Sequence, residues 1–411
     1  MNYLLKPDYI YLNGKTTSGK YVEVTGARIT NICENVTGGK SENASGGEIG
    51  GKSENAFGGE VGNASGEPQI INLSGLTLLP GFIDIHVHGG GGYDTMDLSA
   101  QSLEKISLYK LEEGVTSFCP TTVTAPFEKL KKAASVVGEA AKGENTGAKI
   151  IGSFIEGPYI NPKFKGAHPE EFIREINLDE IKELIDAGKG FVKSFAIAPE
   201  LDGAAEAVKY LTQNGINVRM GHSDALAKQA NEAAGCGANT AIHTFNAMRA
   251  FSHRETSMVS ETLLNDGIYA EFICDLIHTN KHAASVLLRC KGEDKIILIT
   301  DCMMAGGLTD GSYTLGEMKV KVVGKQALTE DGKLAGSVLK LNEAVRNMAF
   351  EVGAGKDAAV KMATINPAAA LGIDKETGSI EVGKRADIIA VDDNFNVKFV
   401  MAGGVIKLSA E

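Results

Sequence analysis

The chain has 411 residues, 43% hydrophobic and 23% charged, with a formal net charge of -11 at pH 7. That length exceeds one ordinary domain, so two structural units, or one large unit with an appendage, are expected. The acidic balance argues against general nucleic-acid or anionic-membrane binding because no basic surface excess is available, whereas a small anionic ligand needs only a few local cations.

No apolar run is long enough for a transmembrane helix, and Met1–Lys15 carries Lys6 and Asp8 where a signal peptide would be apolar. The six cysteines (Cys33, Cys119, Cys236, Cys274, Cys290 and Cys302) form no C-x-x-C pair. Reduced thiols and a cytoplasmic location are the expectation.

Short strands are predicted first, at 9–12, 21–24, 27–33 and 69–73. Within them lies a repeat: Gly38 to Gly50 recurs almost intact as Gly50 to Gly62, and a partial copy follows to Glu67, with a period of 12 residues. Segment 38–67 is rich in Gly, Ser, Asn and Glu and is expected to be a flexible surface loop, since it cannot bury a core. Strands are predicted again at 379–382, 387–391, 397–401 and 405–408. Neither set makes a convincing core alone, so residues 1–79 and 373–411 are expected to build one small β-sandwich from both termini.

Between them, 80–372 alternates strand and helix patterns. Strands are predicted at 82–88, 115–122, 149–156, 191–197, 216–222, 239–243, 268–275 and 295–301. Helices are predicted at 99–113, 126–141, 178–188, 203–213, 224–235 and 281–290. The strands are short apolar runs, as in a parallel sheet buried on both faces. Eight such units suggest an α/β fold, a TIM-like (β/α)8 barrel. A doubly wound open sheet is the rival arrangement, weakened in its dinucleotide-binding form because no G-x-G-x-x-G follows the first strand.

Catalytic groups of a barrel sit at the C-terminal ends of its strands. Those ends carry His86-x-His88, Glu156, His222, His243 and Asp301, with His278 just past the seventh strand. Asp84, His86 and His88 are two apart, so they are expected to share one strand face. Each residue alone suits a structural hydrogen bond. Together, imidazoles and carboxylates converging on one rim suit Zn²⁺ or another borderline divalent ion, with positions left for water. Such an ion lowers the pKa of its water toward ~7, and an aspartate beside it, here Asp301, can take and return the proton. The expected reaction class is metal-assisted hydrolysis of a C–N or ester bond.

Pro80-Gly81-Phe82-Ile83-Asp84-x-His86-x-His88 resembles the opening of the amidohydrolase superfamily. Glu156-Gly157-Pro158, Gly166-Ala167-His168, Gly221-His222-Ser223-Asp224, His243-Thr244-Phe245-Asn246-Ala247-Met248, Thr300-Asp301 and Leu334-Ala335-Gly336-Ser337 follow. In that order they resemble the N-acetylglucosamine-6-phosphate deacetylase family.

The resemblance implies hydrolysis of the N-acetyl group of N-acetylglucosamine 6-phosphate to glucosamine 6-phosphate and acetate. Glu156, His222 and His243 would hold the principal ion, and His86 and His88, with Glu156 bridging, a second. Asp301 would be general base and then acid. His168, Ala167, Asn246, Ala247, Arg254 and His278 would bind sugar and phosphate, and Leu334, Ala335 and Gly336 would close over the acetyl group. It further implies one or two divalent ions per subunit (Zn²⁺ first, then Fe²⁺, Mn²⁺ or Co²⁺) and a homodimer in which Arg254 acts in trans. For Arg254 and His278 the residues alone leave a solvated helix-start cation and a loop hydrogen bonder open. A related amidohydrolase acting on another amino sugar phosphate or a cyclic amide is the alternative.

Overall fold

The structure is a computed structural model that describes residues 1–34, 67–143 and 146–409. Segment 38–67 therefore falls, except for Glu67, outside the described residues.

Both termini contribute to one eight-stranded sheet. Its order is Val405–Ser409, Val397–Ala402, Ile388–Val391, Gln69–Pro80, Asn2–Leu12, Lys20–Thr25 and Arg28–Glu34, with Lys15–Ser18 paired to Asn2–Leu12. The two halves of the chain meet where Gln69–Pro80 pairs antiparallel with Ile388–Val391. Alternation then sorts the side chains. Leu78, Ile388 and Ala390 join a core with Leu5, Val22 and Phe399, while Leu79, Ile389 and Val391 join the core of the central region. Segment 379–382 forms no strand. Ile380 is buried in the terminal core, but the chain there turns through Gly378 and Gly383, both at positive φ, and cannot hold a ladder.

Pro80 leads through Gly81 into the first central strand, β1 (Phe82–Val87). The others are β2 (Val115–Pro120), β3 (Ser153–Ile155), β4 (Val192–Ile197), β5 (Asn217–Met220), β6 (Thr240–Ala241), β7 (Tyr269–Ile273) and β8 (Ile296–Ile299). β1 and β2 pair in parallel, extended by Lys149–Ile150, and β3 to β8 form one continuous parallel run. Parallel bridges Thr121–Phe154 and Val87–Cys302 link the two runs at their ends. All eight strands fall within predicted segments.

Helices α1 (Ala100–Glu112), α2 (Phe127–Lys142), α3 (Leu178–Ala187), α4 (Ala204–Gln213), α5 (Ala227–Gly235), α6 (Met258–Leu264) and α7 (Lys281–Lys291) alternate with the strands. Leu341–Arg346, Lys356–Ala363 and Ile365–Ala370 follow. A three-stranded antiparallel sheet (Gly311–Leu315, Met318–Val323, Gln326–Leu328) is inserted after β8. Neither this sheet, nor α6, nor the three later helices are predicted from the sequence. Among the described residues no helix is long and apolar enough to cross a membrane.

Candidate metal centre

The site is built where strands end. His222, His243 and Asp301 have φ of 47°, 28° and 50°, and Ala247 of 49°. A non-glycine residue at positive φ stops a ladder and costs about 1–3 kcal/mol, so it persists only where its surroundings hold it. Here neighbouring backbone does so. Asp301 N–H donates to the His86 carbonyl at 2.9 Å, and Thr244 N–H to the Glu271 carbonyl at 2.8 Å. Ser337 N–H donates to the Asp301 carbonyl at 2.7 Å, which ties Leu334–Ser337 to the end of β8.

Glu156 stands at the centre. Its Oε1 faces His222 Nε2 at 3.2 Å and His243 Nε2 at 3.3 Å, and its Oε2 faces His88 Nε2 at 3.1 Å and His86 Nε2 at 3.5 Å. Asp301 Oδ1 lies 3.2 Å from His88 Nε2 and 3.6 Å from His86 Nε2. The donor atoms form two compact groups, His86/His88/Asp301 and Glu156/His222/His243. All six residues are buried.

Hydrogen bonds assign the ring tautomers. A carbonyl oxygen only accepts, so His222 Nδ1, 2.8 Å from the Phe164 carbonyl, and His243 Nδ1, 3.2 Å from the Asn246 carbonyl, carry hydrogen. Each ring then turns an Nε2 lone pair toward Glu156. His86 Nδ1 meets the Glu271 carboxylate at 2.9 Å, and among the described residues His86 Nε2 has no hydrogen-bond partner. His168 is held the other way. The Thr124 backbone N–H donates to its Nδ1 at 3.1 Å, so its Nε2 keeps the hydrogen and points a donor toward Glu156, 3.7 Å away. Two imidazoles, His222 and His243, are thus arranged as acceptors at Nε2, that of His86 has no hydrogen-bond partner among the described residues, and His168 is arranged as a donor. The Thr124 contact needs Gly157: at φ +72° a Cβ there would lie 2.0 Å from Thr124 Oγ1.

Protonation follows from the same geometry. Burial disfavours a charged His86, yet Glu156 and Asp301 hold its pKa well above the ordinary value. His88 rises to about 9, with hydrogen bonds to Asp301 and Glu156 outweighing burial. Burial also disfavours charge on Glu156, but the charge of His86 and the hydrogen bond from His168 hold it well below the carboxylate range. Asp301 falls to about 2 against the same burial, chiefly through the charge of His86 and the hydrogen bond of His88. His168 falls to about 4 through burial, with the neighbouring His222 adding to it, and stays neutral. Carboxylates that hold protons on two histidines will hold a divalent cation in their place. The donor set of nitrogens and carboxylate oxygens fits Zn²⁺ or a similar ion.

A cavity of about 170 Å³ opens onto this cluster. Of the residues read from the sequence, His88, Glu156, Ala167, His168, His222, His243, Asn246, Ala247, His278, Asp301, Leu334 and Gly336 line it. His86 lies beneath, fully buried. Ala335 does not line the cavity; it packs with Met303, Ala305 and Leu315. Arg254 is exposed on the loop before α6, where its Nε meets His253 Nε2 at 3.2 Å, and it does not line the cavity of this chain. His278 follows β7, with Nδ1 2.6 Å from Asp275 Oδ2. Burial disfavours its charge, but the Asp275 hydrogen bond raises its pKa overall.

Asp84 departs from the expected shared face. Pairing of β1 with β2 is irregular between Asp84 and Val87, which breaks the alternation. Its carboxylate meets Lys110 of α1 at 3.0 Å and Thr300 Oγ1 at 2.5 Å, so it anchors a helix. Sequence reading also missed Val123, Gly166, Ile273 and Leu315, which line the cavity, and Arg219 and Glu271 beneath it. The signal for the last two was present: a charge inside an apolar run buried on both faces needs a partner. Leu315 comes from the inserted sheet and had no such signal.

Residues 77–407 match the model of the Amidohydrolase family. The chain is 39% identical over 327 residues to an N-acetylgalactosamine-6-phosphate deacetylase of Escherichia coli O157:H7, covering 80% of this chain and 86% of that one. It is 40% identical over 332 residues to an N-acetylglucosamine-6-phosphate deacetylase of Bacillus subtilis (strain 168), covering 80% and 84%. Among solved structures it resembles an N-acetyl-D-glucosamine-6-phosphate deacetylase variant of Mycobacterium smegmatis in complex with N-acetyl-D-glucosamine-6-phosphate. The TM-score is 0.87 at 27% identity, with 99% of this chain and 100% of that one covered. The chain belongs to the amidohydrolase family, among its N-acetylglucosamine-6-phosphate deacetylases.

Proposed function

We propose that the chain hydrolyses the N-acetyl group of N-acetylglucosamine 6-phosphate, giving glucosamine 6-phosphate and acetate. The observation that carries this reading is Glu156, with one oxygen toward each histidine group, at the floor of a cavity lined by His168, Asn246 and His278. The names of the curated relatives and the substrate held by the mycobacterial neighbour support it.

Glu156, His222 and His243 would hold the principal ion and His86 and His88 a second, with Glu156 between them; Zn²⁺ is the first choice. When bound, such an ion supplies Lewis acidity that lowers the pKa of a water and polarises the amide carbonyl. Asp301, ionised at neutral pH, accepts the proton of the attacking water and passes it to the departing amine. His168 Nε2–H is a neutral donor for the acetamido or sugar oxygen. Asn246, the Ala247 backbone and His278 bind sugar and phosphate, and Leu334 and Gly336 shape the acetyl end, with Ala335 packed behind them. Arg254, exposed in one chain, supports a homodimer in which it completes the phosphate site of the partner.

The two bridges between the strand runs support closure into a (β/α)8 barrel over 80–372. The separate terminal core supports a small β-sandwich domain from 1–79 and 373–411. A cytoplasmic enzyme is the compartment this reading assumes.

The test is acetate release across phosphorylated and unphosphorylated N-acetyl sugars, paired with metal counting. Metal-loaded protein that releases no acetate from any of them refutes the reading. The E. coli relative favours a second reading, N-acetylgalactosamine 6-phosphate as substrate. A higher kcat/KM for the galacto than for the gluco epimer would select it.

A further inference from the structure

Beneath the metal groups lies a buried charged chain that the mechanism above does not use. Arg219 on β5 and Glu271 on β7 are both fully buried, as is His86 on β1. Arg219 NH1 donates to Glu271 Oε1 at 2.8 Å and to the Ile85 carbonyl at 2.9 Å. Its NH2 donates to Ser194 Oγ on β4 at 2.7 Å, and its Nε to Asn217 Oδ1 at 3.1 Å. The guanidinium stacks 4.2 Å over the Phe154 ring, which packs edge-on against His86 at 4.9 Å. Glu271 spends one oxygen on Arg219 and turns the other to His86 Nδ1 at 2.9 Å.

The four rings that turn toward Glu156 from the two metal groups differ in what holds Nδ1. His222 and His243 meet neutral backbone carbonyls. His88 Nδ1 is buried and, among the described residues, unpartnered. Only His86 meets a carboxylate. A carboxylate at the far nitrogen fixes both tautomer and ring orientation and raises the basicity of the nitrogen that faces a metal. Arg219, itself held by Ile85 on β1, Phe154 on β3, Ser194 on β4 and Asn217 on β5, keeps that carboxylate in place, so Glu271 cannot swing to another partner.

We propose that Glu271, locked by Arg219, is a positioning residue that aims the His86 Nε2 lone pair and thereby sets the affinity of the His86/His88/Asp301 ion. This rests on the two-ion reading of the site. Glu271 touches neither substrate nor reacting atoms, and its effect passes through His86 alone. It makes His86 the firmer of the two H-x-H ligands.

The experiment is Co²⁺ titration of the metal-free, full-length protein, followed by ion counting and the Co²⁺ absorption spectrum. The parent should take up two ions per chain. Glu271→Gln should weaken one of them by about 10–100-fold, the range for loss of a ligand's hydrogen-bond partner, and leave the other within about twofold. Because Glu271→Gln leaves the Arg219 charge unpaired, the double variant Glu271→Gln/Arg219→Met removes both charges and should show the same selective loss. The Co²⁺ spectrum should lose the component of the second ion, a change that a general loosening of the fold would not confine to one ion.

The parent alone gives a readout independent of variant folding: in the Zn²⁺-loaded protein, histidine ¹⁵N spectra should show His86 protonated at Nδ1. Two ions of unchanged affinity in the variants, a parent that takes one ion only, or a His86 proton at Nε2 would each overturn the proposal. A parent that takes two ions with this dependence yet releases no acetate would instead remove the substrate reading and leave Glu271 its role.

Discussion

Replacing Asp301 by asparagine removes a proton acceptor while keeping the shape of the side chain. In the structure Asp301 Oδ1 lies 3.2 Å from His88 Nε2, and the surrounding histidines hold its pKa at about 2. At neutral pH it is therefore ionised and able to accept a proton. Asparagine keeps one oxygen at that position but cannot take the proton or return it to the amine. Positioned general acid–base groups contribute about 10²–10⁴-fold, which is roughly 2.7–5.4 kcal/mol at 1.36 kcal/mol per decade. The residues proposed to bind sugar and phosphate are other than Asp301, so KM should stay within about threefold, a loss confined to the transition state. The ion at Glu156, His222 and His243 does not need Asp301 and should remain. The assay is steady-state acetate release with metal analysis on the same sample. A variant that holds its metal and keeps more than about a tenth of the parent kcat refutes the assignment.

Glu156→Gln should lower the affinity of both ions, since each carboxylate oxygen faces one histidine group; loss of one ion alone would show that Glu156 does not bridge. Truncating His86 and His88 together should lower metal stoichiometry before it abolishes turnover, and loss of all metal in that variant would make the pair primary. The raised pKa of His278 and the lowered pKa of Asp275 widen the pH range over which the pair is ionic. The sign follows: the cation is complete below about 6.5, the ordinary histidine value, and is lost as pH rises through the higher folded value. KM for the phosphorylated substrate should therefore climb on the alkaline side, and His278→Gln should raise KM and flatten that limb; an unchanged profile refutes a phosphate role. Lys110→Ala would leave Asp84 and Glu113 buried without their cation and should cost about 3–5 kcal/mol in denaturant unfolding. A cost below about 1 kcal/mol would show that the three-residue cluster is not structurally required.

Much of the candidate site was legible because chemistry-bearing residues sit at regular places. His88, Glu156, His222, His243 and Asp301 each close an apolar run, and a run buried on both faces ends where its charge begins. Periodicity of that kind survives without any knowledge of packing. The cavity wall was less legible. Leu315 reaches it from a sheet inserted after β8, and a three-stranded antiparallel sheet with a small core of its own carries no spacing that ties it to a distant strand end.

From its sequence alone the chain settled the order of the eight central strands and the residue types that could hold a metal. Those depend on local alternation and on which side chains carry lone pairs, and both are written in the linear order. Which face Asp84 takes was decided by the irregular pairing between Asp84 and Val87, a property of two strands together. Which histidines turn a lone pair inward and which turns a hydrogen was decided by Phe164, Asn246, Glu271 and Thr124, partners from 3 to 185 residues away. A ring tautomer is set by the group opposite its far nitrogen, and only the folded chain brings that group there.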